Sequence, residues 1–233
     1  MKVLFTNAAE SATITAPNES PNYPAANLVH RILKKRYQAV INEDTIRLEW
    51  SAAVVVNCLY VGYTNASAFT LRLYDASAAL LATVALSPAD MAAHFAAVSG
   101  VRAAEIDLEV ASGAVYLGGI GIGEEYTMPD PRNDWTDGHL DNSNVEISAD
   151  GQVFANRIEP LRSLPLNFFT IGFEAFREIR DLIVPISRAV PVWLDVFETW
   201  HAEALPLYGT VELSKSTKRD HVIDFSLNIQ EAR

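Results

Sequence analysis

The sequence predicts a mostly β protein made of two β-sandwich-type domains, the second of which carries one flanking α-helix. In residues 1–125, short stretches with strand-like apolar patterns recur at a spacing of about ten residues, which is typical of sandwiches and barrels. Further along, the Asp150-Gly151 dipeptide separates two short alternating stretches and is a strong hairpin signal. The final segment, 221–231, alternates apolar and polar residues without a break, as a strand with one buried face does.

The first domain, residues 1–125, is expected to consist of strands apart from one short helix. Residues 53–63 (AVVVNCLYVGY) form a nearly continuous apolar run, which favours a core strand and places Cys58, the only cysteine, among buried residues. Residues 87–98 (SPADMAAHFAAV) are predicted to be helical, with Ser87 as the cap and a proline in the first position. The other predicted strands are 45–51, 69–75, 79–87, 103–112 and 115–125.

A linker is predicted at 126–144, where two prolines and several Asp and Asn residues interrupt the apolar pattern. The second domain, 145–233, begins with the hairpin and continues with strands at 164–171 and 191–197 and with the final strand. In that final strand Phe225 and Leu227 are expected to face the core. Residues 172–183 are predicted to be the helix, whose apolar stripe comprises Phe173, Phe176, Ile179 and Ile183.

Composition and charge restrict the class of function. The chain has 18 Lys and Arg residues against 29 Asp and Glu, a net charge of −11, which argues against nucleic-acid binding because that needs a basic surface. The one basic run, Lys34, Lys35 and Arg36, is interpreted as a solvated strand or loop edge. The N-terminal segment lacks a long apolar stretch, and no run reaches the length of a membrane span, so the protein is expected to fold in a cytoplasm and stay soluble.

No pattern in the sequence indicates catalysis, a metal or a cofactor. The glycine-rich segment 117–125 (LGGIGIGEE) has the wrong spacing for a dinucleotide loop and is followed by two acidic residues, so it is interpreted as a strand that passes closely beneath a neighbour. None of the histidines has a second ligand at metal-binding spacing. We therefore expect no enzymatic activity and no metal. The histidines are His30, His94, His139, His201 and His221.

Several stretches of the first domain resemble the galactose-binding-like (discoidin-type) β-sandwich family. They are SPNYPAANLV at 20–29, the pair Arg36-Tyr37, TIRLEWS at 45–51, AVVVNCLYVGYTNAS at 53–67 and YLGGIGIGEE at 116–125. The resemblance implies contact with host-surface glycans or with neighbouring subunits. Glycan binding would require exposed aromatic residues on the loops at one end of the sandwich. The candidates for such contact are Tyr23, His30, Tyr37 and Tyr63.

The second domain resembles the tail-tip and distal tail proteins of tailed bacteriophages and gene transfer agents. The segment WTDGHLDNSNVEISADGQ matches their pattern W-x-x-G-x-x-D-x-S-x-V-x-x-S-x-x-G. The matching residues are Trp135, Gly138, Asp141, Ser143, Val145, Ser148 and Gly151, and the pairs Pro191-Val192, Tyr208-Gly209 and Glu231-Ala232 fit the continuation. The resemblance implies a virion structural protein of the tail tip or baseplate, made in the bacterial cytoplasm, without catalytic residues or cofactors.

Two functions of different classes follow from these resemblances. The first is a structural protein that forms a homo-oligomeric ring around the tail tube and binds tail-tube and baseplate hub proteins. The second is a carbohydrate-binding adhesin module. For the ring, the expected subunit-interface anchors are the aromatic residues outside the two predicted cores, because interfaces favour such residues. They are Trp135, Trp193, Trp200 and Tyr208.

Overall fold

The computed structural model describes residues 1–30, 32–87, 91–131, 138–140, 144–147, 153–156, 161–186, 190–196, 207–219 and 222–232. It divides into two compact units. Unit 1 comprises Met1–Met128 together with Val192–Tyr208, and unit 2 comprises Pro129–Pro191 together with Gly209–Arg233. The prediction that every residue from 145 onward belongs to the second domain is therefore wrong for Val192–Tyr208. The reason is a strand at Val192–Asp195, which pairs with the N-terminal strand, Lys2–Leu4.

The described residues are mostly in strands, with one α-helix, as the sequence predicts. Two short 3-10 helices lie at Ala8–Ser11 and Ala25–Val29. In chain order the elements are β1 (Lys2–Leu4), β2 (Thr13–Thr15), β3 (Tyr37–Gln38), β4 (Glu43–Thr64), β5 (Ala68–Tyr74), β6 (Leu80–Leu86), β7 (Ala92–Glu109), β8 (Tyr116–Gly123), β9 (Tyr126–Thr127), β10 (Gly138–Leu140), β11 (Asn144–Ile147), β12 (Val153–Asn156), β13 (Leu161–Gly172), α1 (Phe173–Ile183), β14 (Val192–Asp195), β15 (Leu207–Arg219) and β16 (Val222–Glu231).

Unit 1 is organised around β4, a strand of 22 residues. The sequence predicted two strands here, but the structure joins them through register shifts between Glu49 and Cys58. The first half of β4 pairs with β2 and β7, and the second half pairs with β7 and β8. Because such irregularities bend a strand, the sheet β3-β8-β4-β7-β5-β6 folds over on itself and forms the two layers of a sandwich.

The predicted helix at 87–98 is wrong from residue 92 onward, because these residues form the start of β7. Ala92 pairs with Tyr60 of β4, and Val98 pairs with Val56. Alanine-rich segments favour helices, but this preference amounts to less than about 1 kcal/mol per residue. The backbone hydrogen bonds and the burial gained beside β4 outweigh it.

The second half of β4 is covered on both faces, which explains its nearly continuous apolar sequence. Leu59 and Val61 lie in the main core of unit 1. On the opposite face, Cys58 and Tyr60 pack against Leu4 of β1 and Trp193 of β14. The predicted burial of Cys58 is confirmed.

The glycine-rich strand β8 makes room for Trp193. A Cβ atom added at Gly121 would overlap with the indole ring of Trp193, and one at Gly119 would lie 2.6 Å from Leu33 Cδ2. The interpretation of these glycines as sites of close approach is confirmed. Strand β1 pairs with both β14 and β9, and this pairing positions Trp193 against β8.

In unit 2, the strands are ordered β10-β13-β16-β15 in one antiparallel sheet. The separate hairpin β11-β12 is formed as predicted around Asp150-Gly151, although the turn itself is not among the described residues. Helix α1 is also confirmed, but Phe173 of its predicted stripe is 45% exposed. No helix among the described residues has the length and apolar character needed to cross a membrane.

The final strand β16 alternates as predicted, with Phe225 and Leu227 buried. The ring of Phe225 stacks on that of Phe168 at a centroid distance of 4.6 Å and lies 5.6 Å from that of Phe176 on α1. Phe225 therefore joins the sheet of unit 2 to its helix.

Replacing Phe225 by alanine should lower the free energy of unfolding by about 3–5 kcal/mol, the usual cost of deleting a buried aromatic side chain. Denaturant-induced unfolding measures this loss. Phe173→Ala is the matched control and should cost clearly less, because Phe173 is 45% exposed whereas Phe225 is buried. A loss below about 1 kcal/mol for Phe225→Ala would contradict the burial of this face.

Candidate functional site

The ends of the longest strands of unit 1 lie close together at one end of the sandwich. Glu109 at the end of β7 pairs both with Glu43 at the start of β4 and with Ala68 at the start of β5. The loop after β7 returns to the same place, where the Val115 N–H donates to the Ile41 carbonyl at 3.1 Å. We call this the loop end, and its connecting segments are 16–24, 32–42, 65–67 and 110–115.

Three tyrosines and one arginine contact one another at the loop end. The guanidinium carbon of Arg36 lies 4.4 Å from the ring centroid of Tyr116 and 5.5 Å from that of Tyr23. The ring of Tyr63 follows, 5.9 Å from that of Tyr116. We call these four residues the tyrosine–arginine cluster. Its contacts run in the order Tyr23, Arg36, Tyr116, Tyr63, and the terminal tyrosines are 38% and 49% exposed, respectively.

Backbone and side-chain hydrogen bonds hold Tyr23 and Arg36 beside β3. The Gln38 N–H donates to the Tyr23 carbonyl at 3.1 Å, and the Asn27 side chain donates to the Arg36 carbonyl at 3.0 Å. Arg36 Nη2 donates to Gln38 Oε1 at 3.2 Å. Because Gln38 of β3 pairs in register with Tyr116 of β8, the residue that precedes β3, Arg36, lies beside Tyr116.

Tyr63 adopts an unfavourable backbone conformation, with a φ of 54°. The left-handed region costs a non-glycine residue roughly 1–2 kcal/mol, and such strain concentrates at functional sites. Gly118 on β8 accommodates it, since a Cβ atom there would lie 2.8 Å from Tyr63 Cβ. The strain is retained for a ring that is nearly half exposed, so core packing does not account for it.

The structure brings together two of the four predicted glycan-contact residues, Tyr23 and Tyr63. His30 instead contacts Lys35, with 3.2 Å between Nε2 and Lys35 Nζ. Tyr37 is fully buried and donates a hydrogen bond to Asp44. Burial, followed by this hydrogen bond, raises the pKa of Tyr37. The prediction of ligand contact is wrong for Tyr37, because its neighbouring position on the strand is the one that faces outward.

Arg36 and Tyr116 were missed as site residues. In the sequence, the pair Arg36-Tyr37 is distinguished only by its resemblance to a known family, and Tyr116 begins a strand with no other distinguishing feature. The pairing between β3 and β8 that brings them together joins positions nearly 80 residues apart. Local patterns contain no information on such cross-strand neighbours.

Of the predicted subunit-interface anchors, Trp193 has a packing role within unit 1. It is 3% exposed, stacks on Tyr60 at a centroid distance of 5.9 Å, and contacts Tyr208 at 4.9 Å. The structure thus corrects the prediction for Trp193, because a buried side chain is not available to another subunit. Trp135 and Trp200 fall outside the part of the chain that the structure describes.

A cavity of about 330 Å³ also opens at the loop end, and its lining includes Phe69 and the acidic residues Glu43, Asp44, Asp107 and Glu109. The carboxylate of Asp44 accepts hydrogen bonds from Asn18 and Tyr37, and that of Asp107 accepts from Thr45 and Arg72. These two carboxylates are thus engaged within the protein. Among the described residues, no group of three or more His, Cys, Asp or Glu side chains is arranged to hold a metal ion.

A second polar cluster surrounds His94 in unit 1. Its Nδ1 lies 2.7 Å from Glu125 Oε2 and its Nε2 lies 2.9 Å from Asp195 Oδ2. Burial lowers the pKa of His94, but the hydrogen bonds to Asp195 and Glu125 together outweigh it and raise the pKa to about 9. The imidazolium therefore donates to both carboxylates and fastens β14 to β7, while Lys2 and Tyr60 also face Glu125.

Comparisons with known proteins give structural similarity only. No protein-family model matches the chain, and no curated protein matches it. The solved structures that it resembles include a mutant of the lectin binding domain of Lectinolysin complexed with Lewis b, with 12% identity, a TM-score of 0.44, and coverage of 51% of this chain and 96% of that one. A pectin binding carbohydrate binding module shows 17% identity, a TM-score of 0.42, and coverage of 52% and 96%. A Streptococcus pneumoniae fucose binding module shows 15% identity, a TM-score of 0.42, and coverage of 51% of this chain and 94% of that one.

Raising the pH through the pKa of His94 should destabilise the protein. The unfolded-state pKa of histidine is about 6.5, whereas the folded-state pKa is about 9. The folded state therefore binds the proton more tightly than the unfolded state. The stabilisation of the folded state by this proton is fully present below about pH 6.5 and disappears as the pH rises through about 9.

The measurement compares urea-induced unfolding of the wild-type protein and His94→Gln between about pH 6 and 10. The stability advantage of the wild type should shrink across this window, and groups common to both proteins, such as Lys2 and Tyr60, cancel in the difference. A difference that is constant with pH would show that the protonated imidazole does not hold this network together.

Proposed function

We propose that the protein is a carbohydrate-binding module that holds glycans on the tyrosine–arginine cluster. The observation that carries the proposal is the pair of exposed rings, Tyr23 and Tyr63, at the two ends of the cluster on the loop end of the sandwich. Pyranose rings have apolar C–H faces that pack against aromatic rings, while their hydroxyl groups need hydrogen-bond partners. Tyrosine side chains provide both, with an apolar body and a polar tip.

The strain at Tyr63 supports a binding role over a packing role. A residue placed only to fill space would lie in the core, and its backbone would relax to a favourable region. Here the backbone is held in the left-handed region and the ring is held at the surface. A rigid, ordered ring loses little conformational entropy on binding, which favours affinity.

The proposal includes binding without catalysis. Glycoside hydrolysis requires a pair of carboxyl groups on either side of the scissile bond. The tyrosine–arginine cluster consists of aromatic rings and one cation, so it can stack and hydrogen-bond a sugar but contains no carboxyl pair of its own. We therefore expect a glycan that binds to the cluster to be released chemically unchanged.

A structural role in a phage tail tip is the second candidate. It is favoured by the element order of the chain, in which the hairpin β11-β12, strand β13, helix α1, strand β14 and the strand pair β15-β16 follow one another as the resemblance to tail-tip proteins implies. In this proposal the chain forms a ring in the virion with tail-tube and hub proteins, and Trp135, Trp200 and Tyr208 remain its expected anchors. Mass spectrometry and labelled electron microscopy of purified particles test it, since absence of the chain from the tail would exclude it.

Replacing Tyr63 by asparagine should weaken glycan binding about fivefold without unfolding the protein, because aromatic contacts of this kind contribute about 1 kcal/mol. Asparagine tolerates the left-handed region, so the free energy of unfolding should stay within about 1 kcal/mol of the wild type. A glycan array on the wild-type protein identifies a ligand, and calorimetric titration then compares the variants.

Leu80→Ala is the control for this experiment, because Leu80 is exposed on strand β6 and belongs to a different edge of the sheet. It should bind as the wild type does. Equal affinities of the wild type and Tyr63→Asn for every glycan that binds, or no glycan binding at all by the wild type, would contradict the proposed function.

A further inference from the structure

We infer that the tyrosine–arginine cluster selects a saccharide that carries a carboxylate, such as a uronic acid or another sugar acid, and that Arg36 binds this carboxylate. The inference rests on the proposed function and narrows it to one class of glycan. Three observations support it: the local charge of the chain, the contacts of Arg36 compared with those of other arginines, and the orientation of its guanidinium group.

The segment that carries the cluster is basic within an acidic protein. Residues 20–42 contain no Asp or Glu, yet they include Arg31, Lys34, Lys35 and Arg36, whereas the whole chain has a net charge of −11. Two carboxylates flank this segment along the chain: Glu43 begins β4, and Glu19 accepts a hydrogen bond from the Ala25 N–H at 2.8 Å. The surface beside Tyr23 is therefore a local site for an anion on a protein that otherwise repels anions.

Arg36 differs in its contacts from Arg47, Arg72 and Arg180, which pair with carboxylates, whereas Arg102 donates to the Trp50 carbonyl. Arg47 pairs with Glu105 at 2.7 Å, and Arg72 pairs with Asp107 at 2.6 Å. Helix α1 shows the same preference, with Arg180 beside Asp181. Arg36, by contrast, contacts two aromatic rings and the neutral amide of Gln38. Among the described residues, its charge is not compensated by a carboxylate.

The guanidinium group of Arg36 is oriented before any ligand arrives. Tyr23 and Tyr116 contact it as aromatic rings, and Gln38 Oε1 accepts from one of its nitrogen atoms. A guanidinium group has five N–H donors in its own plane, and rings placed over it leave donors at the edge. Such an edge matches the two oxygen atoms of a carboxylate in a bidentate arrangement.

The combination of ring and cation defines the ligand. A sugar ring stacked on Tyr23 or Tyr63 places its substituents near Arg36, and a carboxylate attached directly to that ring is the group that satisfies the guanidinium edge. A long polyanion such as a nucleic acid is disfavoured, because the basic segment is short and the rest of the chain is acidic. Lys35 lies beside His30 and adds positive charge to the same segment.

The experiment measures calorimetric binding of the full chain to oligogalacturonate, to its fully methyl-esterified form, and to sialylated and sulfated oligosaccharides. The ester keeps the sugar ring but removes the charge. We expect the wild-type protein to bind a carboxylated saccharide at least about tenfold more tightly than its ester or its neutral counterpart, the difference expected of one charged hydrogen-bonded contact. In Arg36→Gln this preference should disappear, and in Arg36→Lys it should be reduced, because lysine lacks the bidentate geometry.

Lys35→Gln is the matched control, since it removes one charge from the same segment but not the oriented guanidinium group. It should retain most of the preference for the acid. Equal binding of acid and neutral forms would overturn the inference and leave the proposed function standing. Preference for sulfated over carboxylated sugars, or equally tight binding of anionic vesicles or single-stranded DNA, would also overturn it. Absence of binding to every saccharide would overturn the proposed function itself.

Discussion

The pairing of one long strand, β4, with partners in both layers of the sandwich is the constraint on which unit 1 depends. Its first half is hydrogen-bonded to β2 and β7, and its second half to β7 and β8. Since the strand bends at the irregular stretch between Glu49 and Cys58, its start and its end come to the same end of the sandwich. Tyr63, the penultimate residue of β4, therefore lies at the loop end, as does Tyr116 at the start of β8.

The same pairing explains which features could be predicted from sequence. Alternation and apolar runs predicted the strands, the burial of Cys58 and the inward face of β16, because these depend on local periodicity. The segment around Ala92 was predicted to be helical, because its composition favours a helix and its strand partner lies about 30 residues away. The placement of Trp193 in unit 1 likewise depends on a strand partner that is distant in sequence. The same holds for the burial of Tyr37 and for the position of Tyr116 in the tyrosine–arginine cluster.

The cluster around His94 and the tyrosine–arginine cluster differ in how their charges are paired. Around His94, each ring nitrogen faces a carboxylate, so that charge and hydrogen bonds are satisfied within the fold and the cluster acts as a fastener. At the loop end, a guanidinium group lies among aromatic rings without a carboxylate partner in the described residues, and a tyrosine is held in a strained conformation at the surface. Local departures from consistency of this kind are expected where a protein binds something else.

Ligand titration followed by NMR of ring-labelled tyrosines tests the central claim most directly, because the chain has eight tyrosines and their signals report on separate places. With a saccharide that binds, the ring signals of Tyr23, Tyr63 and Tyr116 should shift in proportion to occupancy. Those of the buried Tyr37 and Tyr60 should remain in place. Saturable shifts confined to tyrosines outside the tyrosine–arginine cluster, or none at saturating ligand, would contradict the assignment of the glycan site.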